Sequence, residues 1–199
     1  MSTEDRQRWN KRFAEGAYQS RTHPSDLLVQ NQQLLQQLKN VPDVQALDIA
    51  CGLGRNSVFL LDQGFAVTAI DISDVGLSAL RNSHRNSSPL TVICHDLDHG
   101  LPEIDARFDV IVKIRFLNLT LLPDLLACLK HGGLIFIEVL MQTEDQTTTG
   151  PKASRFRIKP GTLREALAGA NILHYHEGRV KDPDGKISVV AQAVAQRCE

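Results

Sequence analysis

Short runs of consecutive apolar residues alternate along the chain with longer segments in which apolar positions recur every three to four residues. The runs consist mostly of Val, Ile, Leu, Ala and Phe, which is typical of strands buried on both faces of a parallel sheet. Five strands are predicted in this way, at Val44–Ala50, Ala66–Ile72, Leu90–His95, Phe108–Lys113 and Leu134–Leu140.

The segments between these runs carry signals for helix ends. A serine at a helix start can accept a backbone N–H, and Thr162 with Glu165 forms a T-x-x-E capping box for a helix over residues 163–170. Proline suits the first helical turn, and glycine suits the position after the last turn. These signals predict five helices that begin near Ser25, Arg55, Ser73, Pro123 and Thr162, the second ending at Gly64 and the fourth running to Lys130 before Gly132-Gly133.

The last third of the chain has a different pattern. Two apolar runs, Ile172–Gly178 and Ile187–Gln196, flank the turn-forming sequence Pro183-Asp184-Gly185 and predict an antiparallel hairpin. No repeat, linker or low-complexity tract divides the chain, so we expect one domain over residues 1–199. The prediction is an α/β fold with a doubly wound, mostly parallel, Rossmann-like sheet and an antiparallel C-terminal hairpin.

Composition narrows the possible functions. The 42% of apolar and 23% of charged residues are typical of a globular protein, and the net charge of −1 disfavours nucleic acid and membrane surfaces as partners. No apolar run reaches the ~20 residues of a membrane span, and the polar N-terminus does not resemble a secretory signal. Four scattered cysteines are expected to be reduced. We therefore expect a cytoplasmic monomer or homodimer that acts on a small molecule.

The first predicted strand runs directly into a glycine turn, in A-L-D-I-A-C-G-L-G-R-N over residues 46–56. Ligands of open α/β sheets bind at the carboxyl ends of strands, and glycine lets the backbone approach them closely. A lone G-x-G also occurs in ordinary turns, but here three carboxylates accompany it. Asp48 lies inside the first strand and needs a cation or several donors. Asp71 at the end of the second strand suits two ribose hydroxyls, and Asp96 after the third suits an adenine amino group.

The series L-D-I-A-C-G-L-G-R-N, A-I-D-I-S, H-D-L, F-D-V-I-V and L-K-H-G-G-L-I-F-I-E resembles the motifs of class I S-adenosylmethionine-dependent methyltransferases over nearly the whole chain. The resemblance implies a seven-stranded sheet with a reversed last strand and S-adenosyl-L-methionine as the cofactor. It implies that the cofactor-binding residues are Asp48, Ala50, Cys51, Gly52, Gly54, Asn56, Asp71, Ile72, Asp96, Leu97 and Lys113.

The same resemblance implies a role for several of these residues. The backbone of residues 50–54 would cradle the methionine moiety, with Asp48 near its amino group. Asp71 would bind the ribose, residue 72 would pack on the adenine, and residues 96–97 would bind the adenine edge. Lys113 would line the crevice after the fourth strand. Many members have glycine at the position of Ala50, and a negative φ there would accommodate the alanine.

Within the class, the chain is similar to the small tellurite-resistance and thiopurine-type methyltransferases through C-G-x-G-R-N-S, G-F-A-V-T-A-I-D-I and F-R-I-K-P-G-T-L-R-E-A-L. In such enzymes the N-terminal segment, here residues 1–40 with Trp9 and Phe13 on one helix, folds over the cofactor as a lid. The turn R-V-K-D-P-D-G lacks the His-Arg pair expected of a tellurite enzyme. This departure counts against tellurite as the acceptor.

Candidate residues for the methyl acceptor are cationic. Arg115 follows the fourth strand, and Arg155 and Arg157 lie in the loop of residues 141–160, which is predicted to form a substrate lid. A cationic rim above a sulfonium favours a small acceptor that is anionic or a soft nucleophile, such as a thiolate or a chalcogen oxyanion. His23 is a candidate base. No catalytic residue is identified.

Other interpretations stay open. A catalytically silent cofactor-binding module fits the same motifs. A nicotinamide dehydrogenase also uses a G-x-G turn, but its fingerprint favours Gly or Ala where this chain has Ser57, and it rarely has an acid such as Asp48 in the first strand. Arg115 could be a solvated loop residue or pair with Asp109. The His and Asp residues of 95–99 crowd one loop, but their spacing does not predict a metal site.

Overall fold

The computed structural model describes residues 3–38, 41–84, 89–182 and 184–198. Its strands are β1 (Gln45–Ile49), β2 (Ala66–Asp71), β3 (Leu90–Cys94), β4 (Phe108–Ile114), β5 (Leu129–Leu140), β6 (Ala170–Lys181) and β7 (Ile187–Arg197). Its α-helices are α1 (Thr3–Ala14), α2 (Asp26–Gln30), α3 (Gln32–Gln37), α4 (Arg55–Asp62), α5 (Asp74–Ser83), α6 (Leu122–Cys128) and α7 (Thr162–Ala166).

The strands form one seven-stranded sheet in the order β3-β2-β1-β4-β5-β7-β6. The pairs among β1 to β5 are parallel, whereas β7 is antiparallel to both of its neighbours, β5 and β6. The predicted Rossmann-like sheet with an antiparallel C-terminal hairpin is therefore confirmed. Of the predicted hairpin turn, Pro183 lies outside the described residues.

Two apolar layers cover the two faces of the sheet. One layer packs α6 and α7 against residues such as Ile111 and Ile137, and the other packs α2 and α4 against residues such as Val112 and Phe136. Every residue of β4 is buried, because this strand lies near the middle of the sheet with helices on both sides. This doubly covered arrangement explains why the parallel strands are continuous apolar runs rather than alternating ones.

The predicted boundary between the fourth helix and the fifth strand is wrong. The prediction continues the helix to Lys130, whereas α6 ends two residues earlier and β5 begins at once. Residues 132–133 do not stop a helix but lie within β5, where the register with β4 shifts between Phe108 and Val110. A Cβ on Gly133 would lie 2.9 Å from the Lys130 carbonyl, so this irregular part of the strand requires glycine.

The predicted caps have mixed outcomes. Ser73 caps α5, since its hydroxyl accepts the backbone N–H of Gly76 at 3.1 Å. The T-x-x-E capping box is wrong, because α7 begins at Thr162 and its N-cap is Gly161, with φ +82°. The backbone N–H of Gly161 instead donates to the Glu177 carboxylate of β6, at 2.7 Å. At the start of α7, Glu177 thus provides the carboxylate that the predicted capping box assigns to Glu165.

Candidate cofactor site

The turn between β1 and α4 is held in an unusual backbone conformation. Ala50, Gly52 and Gly54 have φ values of +54°, +59° and +84°. The negative φ that would accommodate alanine at position 50 is therefore not found, and a side chain in this left-handed region costs roughly 1–2 kcal/mol. Hydrogen bonds from the Cys51 N–H to the Ile70 carbonyl, at 3.0 Å, and from the Gly54 N–H to the Cys51 carbonyl, at 2.9 Å, hold the turn closed.

The two glycines of this turn serve different needs. A Cβ on Gly54 would overlap the Leu80 side chain, so glycine is needed for close packing against α5. A Cβ on Gly52 would meet Phe13 of α1, 3.5 Å away, and no other atom within 4 Å. Among the described residues, the Phe13 ring is thus what covers the Cα of Gly52, and the space between this ring and the turn is free of other side chains.

Asp48 is the buried carboxylate of β1. It is only 1% exposed, and the Ser57 hydroxyl donates to it at 2.6 Å. Burial raises the pKa of Asp48 to about 7, while the hydrogen bonds from Ser57 and the charge of Arg55 act in the opposite direction. When it is ionised, a carboxylate buried this deeply is stabilised by a nearby cation or by several donors, as the sequence analysis expects for Asp48. Ser57 was not anticipated as its partner.

Asp71 joins the ends of β1 and β2. Its carboxylate accepts the backbone N–H of Gly52 and that of Ser73, each at 2.8 Å. The side chain is buried, and burial raises its pKa although backbone hydrogen bonds from Ser73, Gly52 and Ile72 lower it. Each carboxylate oxygen has about two acceptor positions, so acceptor capacity remains for other donors such as ribose hydroxyls. The neighbouring Ile72 is half-buried.

The segment after β3 forms a short 3-10 turn, Leu97–His99. Asp96 caps it by accepting the Asp98 N–H at 3.0 Å, and its other oxygen lies 3.3 Å from the His99 ring. The carbonyl of the buried Leu97 accepts from the Asn118 side chain, 3.2 Å away, beyond β4. Asn118 thus fixes the segment predicted to bind the adenine edge, a role that sequence reasoning missed.

Lys113 is completely buried near the end of β4. Its ammonium group donates to the Phe116 carbonyl at 2.5 Å and lies 5.3 Å from the centre of the Phe116 ring. Burial lowers its pKa to about 7. Lys113 therefore stabilises the turn after β4 from inside the protein.

The N-terminal helix α1 covers the edge of this site. Trp9 and Phe13 stack with ring centres 5.5 Å apart, as their spacing on the helix predicts, and Phe13 is buried. Asn10 accepts from the Ser73 hydroxyl at 2.6 Å, directly beside the Asp71 carboxylate. The described part of the predicted lid thus contacts the ends of β1 and β2.

The segment that follows α1 is also tied to the cofactor turn. Asn56 accepts the backbone N–H of Ser25 at 2.9 Å, and Arg55 donates to the His23 carbonyl at 3.1 Å. The structure thus gives Asn56 a contact with the N-terminal segment. Ser25 is the N-cap of α2, but its hydroxyl makes no capping hydrogen bond. The exposed His23 ring lines a small cavity of about 140 Å³ with Arg55 and Arg21.

Arg115 lies just beyond β4 in a left-handed conformation, with φ +61°. Its guanidinium binds the Glu138 carboxylate, the Ser188 hydroxyl at 2.8 Å and the Asp182 carboxylate at 3.0 Å. The alternative pairing with Asp109 is therefore wrong. Because two carboxylates surround it, Arg115 contributes little net positive charge to the edge of the sheet.

The other two arginines of the predicted rim do not join it. Arg157 is buried, and it donates to the carbonyls of Pro151 and Met141, each at 2.7 Å, and of Thr149 at 3.2 Å. It holds the loop of residues 141–160 in shape. Arg155 is exposed and stacks on the adjacent Phe156 ring, at 4.9 Å. The three arginines thus form no common cationic rim.

A larger cleft lies between α2 and the hairpin of β6 and β7. Its volume is about 380 Å³ and its lining is polar. Glu138 at its base is buried and accepts from the Gln192 amide at 2.5 Å. The cleft adjoins the Arg115 network through Glu138 and Asp182. The residues lining it are Ser25, Asp26, Gln30, Glu138, His174, Tyr175, His176, Arg179, Val180, Lys181, Asp182 and Gln192.

The described part of the chain contains neither a metal-binding cluster nor a membrane-spanning helix. Within residues 3–38, 41–84, 89–182 and 184–198, no three His, Cys, Asp or Glu side chains are grouped so as to hold a metal ion. No helix in these ranges is long and apolar enough to cross a membrane. All four cysteines are free thiols, and burial raises the pKa of the Cys51 thiol, which makes it a poor nucleophile.

The sheet order, the glycine turn and the carboxylates at successive strand ends define a class I S-adenosylmethionine-dependent methyltransferase fold. A solved member with bound S-adenosylhomocysteine, the magnesium protoporphyrin IX methyltransferase of Synechocystis, has a TM-score of 0.68 to this chain. The comparison covers 98% of this chain and 99% of that chain at 16% identity, so the fold is shared.

The family model for the tellurite resistance protein TehB matches residues 19–185, and the chain belongs to this family. The crystal structure of TehB from Haemophilus influenzae has a TM-score of 0.67 at 23% identity, over 83% of this chain and 61% of that chain.

Among the relatives that match in sequence are two that cover most of this chain. The probable S-adenosyl-L-methionine-dependent methyltransferase TehB of Haemophilus influenzae is 27% identical over 146 residues, which are 70% of this chain and 50% of the relative. A protein of Eikenella corrodens named hemagglutinin 1 is 29% identical over 147 residues, which are 70% of this chain and 48% of the relative. The chain thus spans about half the length of these curated relatives.

Proposed function

We propose that the chain transfers a methyl group from S-adenosyl-L-methionine to a small acceptor that reacts through a soft nucleophilic atom. The observation that carries the proposal is the pair of buried carboxylates, Asp48 and Asp71, on either side of an open glycine turn. Both have a pKa raised by burial, so both gain from a ligand that supplies a cation or hydroxyl donors. An amino-acid ammonium and a ribose supply these groups.

We assign one group of residues to each part of the cofactor. Asp48 would bind the ammonium of the methionine moiety, and the open backbone at Gly52 would lie against that moiety. Asp71 would accept both ribose hydroxyls, and residues 96–97 would bind the adenine edge. When bound, the cofactor supplies a methyl group made electrophilic by the sulfonium charge. The task of the protein is then to hold the acceptor in line with that methyl and to exclude water.

For the acceptor, we propose the polar cleft between α2 and the hairpin. Its volume of about 380 Å³ suits a small molecule, and it lies beside the turn after β4. A thiolate or a chalcogen oxyanion attacks a methyl sulfonium without a general base, so the proposal requires no residue in that role. The description of the family as tellurite resistance proteins supports a soft acceptor. The network around Arg115 would keep the β4 turn rigid while the acceptor binds.

Calorimetry with S-adenosylmethionine tests the cofactor, and formation of S-adenosylhomocysteine over a panel of thiols, chalcogen oxyanions, carboxylates and amines tests the reaction. We expect micromolar binding and turnover with a soft acceptor. Binding without turnover on any acceptor would favour the silent module, and binding of NAD in place of S-adenosylmethionine would favour the dehydrogenase. If an amine is the best acceptor, the soft-nucleophile part of the proposal is wrong.

A further inference from the structure

Asp26, the first residue of α2, places its carboxylate in the polar cleft between α2 and the hairpin. The half-buried side chain lines the cleft and forms no hydrogen bond or ion pair with another described residue. Three arginines in and beside the cleft are already paired with other carboxylates, in the pairs Arg115–Glu138, Arg115–Asp182, Arg21–Asp184 and Arg179–Asp145. Asp26 can therefore accept a proton or a hydrogen bond from a ligand in the cleft.

The surroundings of Asp26 favour its protonated form. Burial raises its pKa, and so do the carboxylates of Asp182 and Glu138, whereas the charges of Arg55 and His23 act in the opposite direction. The two carboxylates belong to the hairpin and to β5, and the two cations belong to α4 and to the segment before α2. A carboxylate in these surroundings takes up a proton more readily than an exposed aspartate does, which suits it to general-base catalysis.

Asp26 is also held beside the cofactor turn. The backbone N–H of the preceding residue, Ser25, donates to the Asn56 side chain at 2.9 Å. Asn56 is the second residue of α4, and this helix begins directly after the turn. An acceptor that contacts Asp26 is therefore placed at the side of the cleft that adjoins the turn.

The floor of the cleft, opposite α2, is polar. Glu138, Gln192 and His176 are paired in register across β5, β7 and β6, so they form one row on the same face of the sheet, about 10 Å long. His176 and the nearby His174 have no hydrogen-bond partner in the part of the chain that the structure describes. Lys181 also lines the cleft, but it is exposed at the end of β6. The floor thus presents amide and imidazole groups, which suit a neutral polar ligand better than a multiply charged anion.

We infer that the acceptor is an organic thiol that arrives protonated and that Asp26 accepts its proton; this inference rests on the proposed function. A sulfur lone pair of the thiol forms the new bond to the methyl carbon, and the S–H proton passes to the Asp26 carboxylate. The electron pair of the broken methyl–sulfonium bond stays on the cofactor sulfur. The products are a neutral thioether, S-adenosylhomocysteine and protonated Asp26. A chalcogen oxyanion brings no such proton, and the charge of Asp26 repels it.

Two thiols that differ in acidity separate a base from a structural residue. Benzyl mercaptan is largely protonated at neutral pH, whereas 4-nitrothiophenol is ionised and needs no base. Asp26→Asn should lower kcat/KM for benzyl mercaptan by about 100-fold or more and leave that for 4-nitrothiophenol unchanged or higher. Asp124→Asn is the matched control, because Asp124 also lies in the first turn of a helix, α6, but on the other face of the sheet. It should change neither value.

The absorbance of 4-nitrothiophenol gives a second readout that requires no methyl transfer. Bound to the cofactor-free protein, this thiol should titrate at a higher pH in the wild type than in Asp26→Asn, because the aspartate charge disfavours the thiolate. Calorimetry with S-adenosylmethionine and thermal unfolding confirm that each variant binds the cofactor and is folded.

Three results would overturn the inference. An equal loss of kcat/KM with both thiols in Asp26→Asn would show a structural role for Asp26. The same titration of bound 4-nitrothiophenol in wild type and variant would show that the thiol does not meet Asp26. A higher kcat/KM for selenite than for either thiol would show that the acceptor class is wrong, although methyl transfer to a soft acceptor would stand. If the wild type does not bind S-adenosylmethionine, the proposed function itself is wrong.

Discussion

Replacing Asp48 with asparagine should stabilise the fold while weakening the cofactor site. Asp48 is 1% exposed, its pKa in the folded protein is about 7, and an unfolded aspartate titrates near 3.8. Because the folded pKa is the higher of the two, the folded state holds the proton more tightly. The contribution of Asp48 to stability is therefore fully present below about pH 4 and is lost as the pH rises to about 7.

The magnitude follows from the difference between these pKa values. About three pKa units at 1.36 kcal/mol each give a loss of about 4 kcal/mol at pH 8, and about 2 kcal/mol of it is already lost at pH 5. Asparagine has nearly the same shape, accepts the Ser57 hydroxyl bond and cannot ionise. We therefore expect Asp48→Asn to raise the free energy of unfolding by about 4 kcal/mol at pH 8 and by about 2 kcal/mol at pH 5.

Urea unfolding of the cofactor-free protein at both pH values measures this effect. Asp62→Asn, which changes an exposed aspartate at the end of α4, is the matched control and should give no such pH-dependent gain. The same Asp48 variant should lose about 10-fold or more in affinity for S-adenosylmethionine, because the ammonium loses its anionic partner. If Asp48→Asn is destabilised equally at the two pH values, the account of Asp48 as a buried, reluctantly ionised carboxylate is refuted.

Three further predictions concern other parts of the molecule. Asp71→Ala should lower the free energy of unfolding by about 1–3 kcal/mol, because the backbone N–H groups of Gly52 and Ser73 lose their acceptor, and should weaken S-adenosylmethionine binding by about 2–4 kcal/mol; an unchanged calorimetric affinity would contradict its ribose role. Arg157→Gln should expose the loop of residues 141–160 to proteases, whereas Arg155→Gln should not; equal cleavage of the two variants would show that the three carbonyl bonds do not hold the loop. Ala50→Gly should raise the free energy of unfolding by up to about 1 kcal/mol through relief of its left-handed φ, and a loss of more than 1 kcal/mol in urea unfolding would exclude strain there.

The features that the sequence predicts correctly are those that depend on residues close together in the chain. The strands near the cofactor site are continuous apolar runs, and their ends fall within one or two residues of the prediction. Asp48 and Asp71 could be singled out because a carboxylate in or directly after such a run is unusual. The glycine turn could also be located from the sequence, because its glycines lie between a predicted strand and a predicted helix.

The partners of the arginines depend instead on contacts between distant parts of the chain. Arg115 meets Glu138, 23 residues away, and Asp182, 67 residues away, and no local pattern encodes these distances. Arg157 binds backbone carbonyls, which every residue has, so the sequence carries no sign of the contact. The left-handed Ala50 follows from closure of the turn onto β2.

The reversed strand β7 has a consequence for how the chain acquires its structure during synthesis. β7 is the last described strand to leave the ribosome, yet it lies between β5 and β6 and forms hydrogen bonds with both. The strands β1 to β4 can pair as their βα units emerge, because each needs only neighbours made earlier or shortly afterwards. β5 can pair with β4 in the same way, but its other edge lies next to β7, and β6 pairs with β7 alone, so both must wait for β7. The nascent chain therefore exposes an unpaired apolar edge of β5 until β7 has been synthesised, and this edge is open to chaperones that recognise exposed apolar strands.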